Sequence, residues 1–223
     1  MRFQIPQLLT PEELDTLTKT LAQADFVDGK VTAGNLAKLV KDNRQLKPNS
    51  TAAQHLRRLV IAALQRSELF HAAARPRAVH SILFSRYDAG MAYGRHVDNA
   101  LMAVDGEMFR TDLSFTVFLS EPDTYDGGEL VIEGADDEQS FKLPAGAAIV
   151  YPSTTLHRVE PVTRGTRLVV VGWVQSLVRS AEQREILFDL EVVRRSLFSQ
   201  AGKTDEVDLL AKTASNLLRL WAE

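Results

Sequence analysis

The chain has 223 residues and a net charge of −3, with acidic and basic residues interspersed along it. This length allows a folded domain with a sizeable core, whereas the balanced charge provides no basic surface for binding nucleic acid. The absence of cysteine excludes disulfides, cysteine-ligated iron–sulfur clusters and thiolate metal sites. Because no signal peptide or membrane-spanning apolar run is present, we expect a cytoplasmic protein without a membrane partner.

The first part of the chain, residues 1–77, is predicted to be an N-terminal helical region. The segment Thr10–Glu13 has the form of a capping box with proline at the first helical position, which predicts that a helix begins there. Further helices are predicted around Leu36–Arg44 and over Thr51–Gln65. The segment Lys47–Ser50, which contains a proline, separates these two helices.

Residues 78–176 have the pattern of short strands separated by turn residues, which indicates a β-sandwich or a jelly roll. Strands are predicted at Ser81–Tyr87, Leu113–Leu119, Glu129–Glu133, Phe141–Leu143, Ala147–Tyr151 and Arg167–Val174. The residues between the first two of these strands are predicted to form a turn and a polar loop.

Residues 177–223 are predicted to form a C-terminal helical extension of two helices, the first ending at Gly202. Each helix carries an apolar stripe, formed by Ile186, Leu187, Leu190, Val193 and Leu197 in the first and by Leu209, Leu210, Leu217, Leu218 and Trp221 in the second. Two stripes exceed what a small appendage buries internally, so we expect a homodimer with these helices at the interface. The alternative is that both stripes pack on their own chain.

A candidate metal site is formed by His96 and Asp98, near the end of one strand, and His157, at the start of a late strand. An isolated His-x-Asp pair occurs by chance in many proteins, but a β-scaffold would bring these three side chains together at its mouth. Two imidazoles and one carboxylate with open coordination positions are typical of non-haem Fe(II) sites that use oxygen.

Arg167, ten residues after His157, is a candidate for binding the far carboxylate of a dicarboxylic co-substrate. If the two residues lie on strands joined by the turn at Thr163–Thr166, they are separated by roughly 15 Å along the sheet. Tyr87 and Thr116 are candidates for further hydrogen bonds to the same co-substrate. A surface position for Arg167 and a core position for Tyr87 are the alternatives.

Two other residues are candidates for the substrate pocket. Trp173 has the same strand parity as Arg167, so it is predicted to form a wall of the pocket near the metal, with a plain core position as the alternative. Asn99 follows the Asp98 carboxylate directly and is predicted either to orient it or to contact substrate. A solvated loop residue is the alternative at this position.

Several motifs in order resemble the prolyl/lysyl-hydroxylase branch of the Fe(II)/2-oxoglutarate-dependent dioxygenases. They are Tyr87-x-x-Gly90-x-x-Tyr93-x-x-His96-x-Asp98, Gly127-Gly128-Glu129-Leu130, Pro144-x-Gly146, His157-x-Val159-x-Pro161-Val162 and Gly165-x-Arg167. The N-terminal Asp28-Gly29-Lys30-x-Thr32-Ala33-Gly34 and Val40-Lys41-x-Asn43 are similar to the bacterial PiuC/YbiX-type subgroup. The resemblance covers nearly the whole chain.

The resemblance implies an α+β fold with a double-stranded β-helix (jelly-roll) core, N-terminal helices and a C-terminal helical extension. It implies a hydroxylase that uses Fe²⁺, 2-oxoglutarate and O₂, with L-ascorbate (vitamin C) as a further cofactor to test. His96, Asp98 and His157 would bind iron, and Arg167 would bind 2-oxoglutarate. The substrate would be an amino acid, a peptide or a small molecule, and the PiuC-type members suggest a link to iron uptake.

Two other functions remain open at this point. A nucleic-acid demethylase of the same chemistry usually carries a further arginine beyond the co-substrate arginine, but the residue six positions after Arg167 is Trp173. A jelly-roll protein that binds or senses a metal without turnover would have no need of a residue that binds a diacid. Both alternatives are therefore less consistent with the sequence than a hydroxylase.

Overall fold

Sixteen strands and five helices form the fold in the computed structural model, which describes residues 1–223. The helices are α1 (Pro11–Ala22), α2 (Thr51–Arg66), α3 (Glu68–Ala74), α4 (Ala181–Ala201) and α5 (Asp205–Trp221), and short 3₁₀ segments lie at Gly29–Thr32, Ala37–Leu39 and Pro122–Thr124. The strands are β1 (Phe3–Ile5), β2 (Phe26–Asp28), β3 (Lys41–Asp42), β4 (Arg44–Leu46), β5 (Pro76–Asp88), β6 (Ala92–His96), β7 (Leu101–Val104), β8 (Glu107–Arg110), β9 (Leu113–Phe118), β10 (Asp126–Gly127), β11 (Leu130–Glu133), β12 (Glu138–Phe141), β13 (Ala148–Pro152), β14 (His157–Val159), β15 (Val162–Arg164) and β16 (Thr166–Ser176).

Two antiparallel sheets form a jelly roll, as predicted. The seven-stranded sheet has the order β1-β13-β9-β16-β5-β4-β2, and the five-stranded sheet has the order β12-β11-β14-β6-β3. Two-stranded ribbons, β10 with β15 and β7 with β8, complete the strands. The fold class is therefore α+β, with a jelly-roll core and helices on both sides of it in the sequence.

The core has two parts, because strands of the seven-stranded sheet are buried on both faces. On the outer face, α1, α2 and α3 pack on alternate strand residues such as Val117, Val150 and Val170. On the inner face, a smaller apolar cluster contains residues from both sheets, including Ile149 and Val169 from one and Ile132 from the other. The functional candidates lie next to this inner cluster.

Capping residues fix the ends of several helices. The predicted capping box of α1 is present: the Glu13 backbone nitrogen donates to Thr10 Oγ1, and the Thr10 nitrogen donates to the Glu13 carboxylate. The Ser50 side chain caps α2 by accepting a hydrogen bond from the Ala53 backbone nitrogen, and Gly202 ends α4 with a φ of 68°. The sequence therefore placed the start of α1 and the end of α4 correctly.

The predicted helix around Leu36–Arg44 is wrong. This segment contains a single 3₁₀ turn followed by β3 and the first residue of β4. The strands are stabilised by backbone pairing that the sequence pattern does not reveal, of Lys41 with Tyr93 and of Arg44 with Arg86. The N-terminal region thus contributes strands to both sheets as well as helices, and the boundaries of the three predicted regions stay a prediction.

Two further expectations need correction. The stretch predicted as a polar loop between the first two strands contains β6, β7 and β8. The path from His157 to Arg167 does not run along one sheet, because β14 lies in the five-stranded sheet and β16 in the seven-stranded sheet. The two residues instead line the same pocket from opposite sheets. The predicted separation of roughly 15 Å along one sheet therefore does not apply.

The C-terminal helices α4 and α5 pack on each other, and α4 also packs on α3. In the first apolar stripe Leu187 is fully buried, whereas Ile186 and Val193 are about half exposed; in the second, Leu209 is 60% exposed. Part of each stripe is therefore covered by its own chain and part faces outwards, and the homodimer stays a prediction. None of the helices combines the length and the apolarity needed to cross a bilayer.

Candidate active site

Three candidate ligand atoms converge at one end of the jelly roll. They come from two neighbouring strands and from the loop that follows one of these strands. His96 ends β6 and is the direct cross-strand partner of His157, which begins β14. Asp98 follows two residues after β6, and its Oδ2 lies 3.9 Å from Nε2 of His157. One ligand atom from each side chain lies within 4.8 Å of the other two. The group has the composition and spacing of a site that could hold one metal ion.

Backbone carbonyls determine the orientation of both imidazoles. Nδ1 of His96 lies 2.8 Å from the carbonyl oxygen of Gly94, and Nδ1 of His157 lies 3.1 Å from that of Thr155. A carbonyl oxygen only accepts hydrogen bonds, so each Nδ1 carries the proton and each Nε2 keeps its lone pair. Both imidazoles are thus held in the tautomer that leaves Nε2 free to coordinate a metal.

Two serines that the sequence reading missed orient the Asp98 carboxylate. Ser114 on β9 donates to Oδ2 of Asp98 at 2.5 Å, and Ser153 lies 2.7 Å from the Ser114 oxygen. Because the Ser114 proton is directed to the carboxylate, Ser153 is the donor in the second bond. The spacing in the sequence could have indicated Ser114, because residues two apart on a strand face the same side and Ser114 is two residues from the candidate Thr116.

Burial and neighbouring charge keep His96 neutral. Burial and then the adjacent His157 together lower the pKa of His96 to about 4, against the opposing effects of the Gly94 carbonyl and Asp98. Tyr93 stacks on the His96 ring with centroids 3.7 Å apart. At neutral pH the imidazole is therefore unprotonated, as metal coordination requires.

Arg167 is buried inside the jelly roll, so the surface alternative is excluded. Its side chain is 1% exposed, and its Nε and Nη1 atoms have no hydrogen-bond partner in the protein. The guanidinium carbon lies 5.1 Å from the Tyr87 ring centroid and 5.7 Å from that of Phe118. Burial lowers the pKa of Arg167, and the nearby tyrosines oppose this. A guanidinium held in this way presents donors to an anion.

The arginine stem needs a glycine beside it. A Cβ on Gly128 would lie 3.0 Å from Cδ of Arg167 and 3.2 Å from the Tyr125 ring, and Gly128 has a φ of 69°. The Gly-Gly turn before β11 therefore provides both the left-handed backbone and the space that the arginine occupies. This gives a physical reason for the glycine pair noted in the sequence.

A pocket of about 760 Å³, including its open mouth, connects these groups. All the candidate residues from the sequence line it, namely Tyr87, His96, Asp98, Asn99, Thr116, His157, Arg167 and Trp173. The sequence reading assigned no role to other lining residues: Lys41, Asn43, Gln45, Tyr93, Ser114 and Tyr151. Burial raises the pKa of Tyr151 well above 10, so its phenol remains protonated.

Trp173 and Asn99 differ in their environment. Trp173 points into the pocket from the same side of β16 as Arg167, and its Nε1 is buried without a hydrogen-bond partner. Asn99 is exposed at the mouth of the pocket, where its side chain packs closely on Gly34. A Cβ on Gly34 would lie 2.9 Å from Oδ1 of Asn99. Asn99 thus contacts the N-terminal segment, and no hydrogen bond links its side chain to Asp98.

The donor groups fit an iron ion and a dicarboxylate. Two imidazole nitrogens and one carboxylate oxygen facing a pocket match the ligand set of non-haem Fe(II) oxygenases. The partnerless nitrogens of the buried Arg167 match the carboxylate of a diacid. The pocket therefore contains complementary groups for both components.

Comparisons with known proteins agree with this chemistry. Residues 82–175 match the family described as the 2OG-Fe(II) oxygenase superfamily. The chain is 64% identical to a PKHD-type hydroxylase of Picosynechococcus sp. over 223 residues, which is 100% of both chains.

Two solved structures share the fold. A Pseudomonas putida prolyl-4-hydroxylase has a TM-score of 0.52 at 22% identity, covering 78% of this chain and 92% of that one. A 2OG-Fe(II) oxygenase family oxidoreductase from Burkholderia pseudomallei has a TM-score of 0.59 at 18% identity, covering 77% and 84%. The chain therefore belongs to the PKHD-type hydroxylases of the 2OG-Fe(II) oxygenase superfamily, and it is a dioxygenase that uses Fe²⁺, 2-oxoglutarate and O₂.

Proposed function

We propose that this dioxygenase hydroxylates a free amino acid, a peptide or a small metabolite, coupled to the conversion of 2-oxoglutarate into succinate and CO₂. The observation that carries the proposal is the convergence in one pocket of the His96, Asp98 and His157 ligand atoms with a buried, partly unpartnered Arg167. A link to iron uptake is included in the proposal through the resemblance to PiuC-type proteins.

In this proposal His96, Asp98 and His157 bind the iron. Their Nε2 atoms and the carboxylate are oriented by carbonyls and by Ser114, so little rearrangement accompanies metal binding. When bound, the iron supplies the oxygen chemistry that the protein groups cannot perform. The side chains contribute position, protonation state and exclusion of water.

The co-substrate side of the proposal depends on Arg167. Its guanidinium binds the far carboxylate of 2-oxoglutarate, with Tyr87 and Thr116 as further hydrogen-bonding groups from neighbouring strands. Tyr125 packs beside the arginine stem. Placing the diacid deep in the pocket leaves the mouth, with Trp173 and Asn99, for the primary substrate.

The function is tested by product analysis. Protein loaded anaerobically with Fe(II) and 2-oxoglutarate is mixed with amino acids, peptides and siderophore-related compounds, with and without L-ascorbate, and then exposed to O₂. We expect one compound to gain a single oxygen atom by mass spectrometry, with formation of one succinate per product. Succinate formation that no compound in any of these classes stimulates, or demethylation of a methylated oligonucleotide, would overturn the proposal.

A further inference from the structure

The segment Phe26–Leu46 connects the two sheets beside the pocket. β3 pairs with β6 in the five-stranded sheet and β4 pairs with β5 in the seven-stranded sheet, so the chain crosses between sheets at Asn43. Exposure alternates along the crossing: Lys41, Asn43 and Gln45 are 5%, 3% and 1% exposed, whereas Asp42 and Arg44 face solvent. The inward face of this crossing is therefore polar, and it lines the pocket.

Lys41 is the charged residue of that inward face, and its ammonium is incompletely satisfied. It donates one hydrogen bond, to Thr32 Oγ1 at 3.1 Å, and Thr32 in turn donates to Gln45 Oε1. The lysine ion pairs in the structure involve other lysines, and Lys41 is in none of them. An ammonium has three donors, so a buried one with a single acceptor can still bind an anion.

The position of Lys41 relates it to the proposed metal site. Its Nζ lies 5.2 Å from the centroid of the Tyr93 ring, and the same ring stacks on the His96 imidazole. Burial lowers the pKa of Lys41 to about 8, against the opposing effect of Asp98 and Asp28. Lys41 and the candidate metal ligand His96 thus contact the same tyrosine ring. The ammonium is therefore close enough to hold a molecule whose C–H bond faces the metal.

The charged residues that line the pocket leave Lys41 without a counter-charge among them, since Asp28 faces solvent outside the lining. The lining residues include one carboxylate, Asp98, and two cations, Arg167 and Lys41. When Fe(II) and 2-oxoglutarate are bound, the two charges of the metal and the one of Arg167 match those of Asp98 and the co-substrate dianion. The Lys41 charge then remains unbalanced in a buried site, which is unfavourable unless a monoanion joins it.

The mouth of the pocket provides apolar surface near this cation. Ala33, Ala37, Val97 and Met102 line it between solvent and the inner groups. We propose that Lys41 binds a carboxylate of the primary substrate, which is a small monocarboxylic compound with an apolar portion. This inference rests on the proposed function and names the chemistry of its substrate. A phosphate dianion fits less well, because it would exceed the single charge of Lys41.

The test compares an acid with its amide. Protein loaded with Zn(II), which prevents turnover, and 2-oxoglutarate is titrated with N-acetyl-L-leucine and with N-acetyl-L-leucinamide, and binding is followed by NMR. We expect the acid to bind at least about tenfold more tightly than the amide, as for a hydrogen bond to a charged group. Lys41→Met should remove this difference, and Lys41→Arg, which keeps the charge, should retain it.

Lys38→Met is the matched control, because Lys38 is an exposed lysine of the same segment that does not line the pocket. It should keep the preference for the acid. The proposal is overturned if wild-type protein treats acid and amide alike, including by binding neither, or if Lys41→Met keeps the preference.

The affinity for 2-oxoglutarate, measured on the same samples before the probe is added, separates the two proposals. Lys41→Met should bind 2-oxoglutarate as wild type does. A large loss in Lys41→Met would assign Lys41 to the co-substrate and overturn the inference alone. Wild-type protein that bound neither Zn(II) nor 2-oxoglutarate would overturn the proposed function, and this inference with it.

Discussion

Substituting Arg167 by methionine should weaken the binding of 2-oxoglutarate without lowering the free energy of unfolding of the ligand-free protein. Methionine keeps an unbranched stem between the Tyr87 and Phe118 rings, where the guanidinium lies 5.1 and 5.7 Å from their centroids. It removes a buried cation that has two nitrogens without partners. In the absence of ligand the free energy of unfolding should therefore stay the same or rise, because no compensating ion pair is lost.

The effect on 2-oxoglutarate follows from the loss of hydrogen bonds to a charged group, about 3 kcal/mol at the upper range, which corresponds to roughly a hundredfold weaker binding. At a 2-oxoglutarate concentration about 100 times the wild-type Kd, the ligand should stabilise wild type by about 2.7 kcal/mol and the variant by about 0.4 kcal/mol. For a chain of this size the wild-type gain is about 5 to 10 °C in Tm, and that of the variant about 1 °C.

The assay is thermal unfolding of the Zn(II)-loaded protein with and without 2-oxoglutarate. Arg164→Met is the matched control, since Arg164 is exposed on the preceding strand and pairs with Asp126. The control should show the full shift. A variant at position 167 that unfolded at a much lower temperature without ligand, yet kept the full 2-oxoglutarate shift, would show that Arg167 is structural.

Four further predictions concern the metal site and assembly. Asp98→Ala should abolish stoichiometric iron binding, measured by metal analysis, while circular dichroism stays unchanged; retained iron would contradict the ligand assignment. Ser114→Ala removes the hydrogen bond to the Asp98 carboxylate and should weaken metal affinity by about tenfold or more in a metal titration, and an unchanged affinity would show that the bond is incidental. The folded pKa of His96 is about 4 and its ordinary value is 6.5, so on acidification the unfolded chain binds this proton before the folded chain does. The free energy of unfolding of metal-free protein should therefore fall as the pH falls from 6.5 to about 4. In denaturant titrations His96→Asn should reduce this dependence of the unfolding free energy on pH, and an identical dependence would refute the assignment. Light scattering should show a homodimer, and glutamate at the exposed Val193 and Leu209 should dissociate it; a monomeric wild type would remove these helices from any interface.

The sequence was sufficient to identify the candidate ligand residues that the fold brings together, because His96, Asp98 and His157 occur in a motif surrounded by recognisable strands. It could not give the spatial relation of His157 to Arg167. Their strands are close in sequence, with only the short strand β15 between them, yet they belong to different sheets. Which sheet a short strand joins depends on pairing partners far away in the chain, such as β11 for β14 and β5 for β16.

The segment Leu36–Gln45 shows a second limit of prediction from sequence. From Lys41 to Gln45 every residue is polar, so no apolar period distinguishes a strand from a helix or the buried face from the exposed one. In the structure the inward positions are set by the polar pocket rather than by an apolar core. The same reason explains why Ser114 was missed, since a serine inside a strand carries no signal until its carboxylate partner is seen.

The short outer strands have a consequence for how this protein behaves in concentrated solution. The strands at the four edges of the two larger sheets are β1, β2, β3 and β12, of which the first three have two or three residues and the last begins with the exposed Glu138. Such edges offer few free backbone groups to another chain. Deleting Phe3–Ile5 would uncover β13, with the apolar run Ala148–Val150, as a template for intermolecular pairing. A five-residue truncation at the N-terminus should thus aggregate even though it removes almost none of the apolar core.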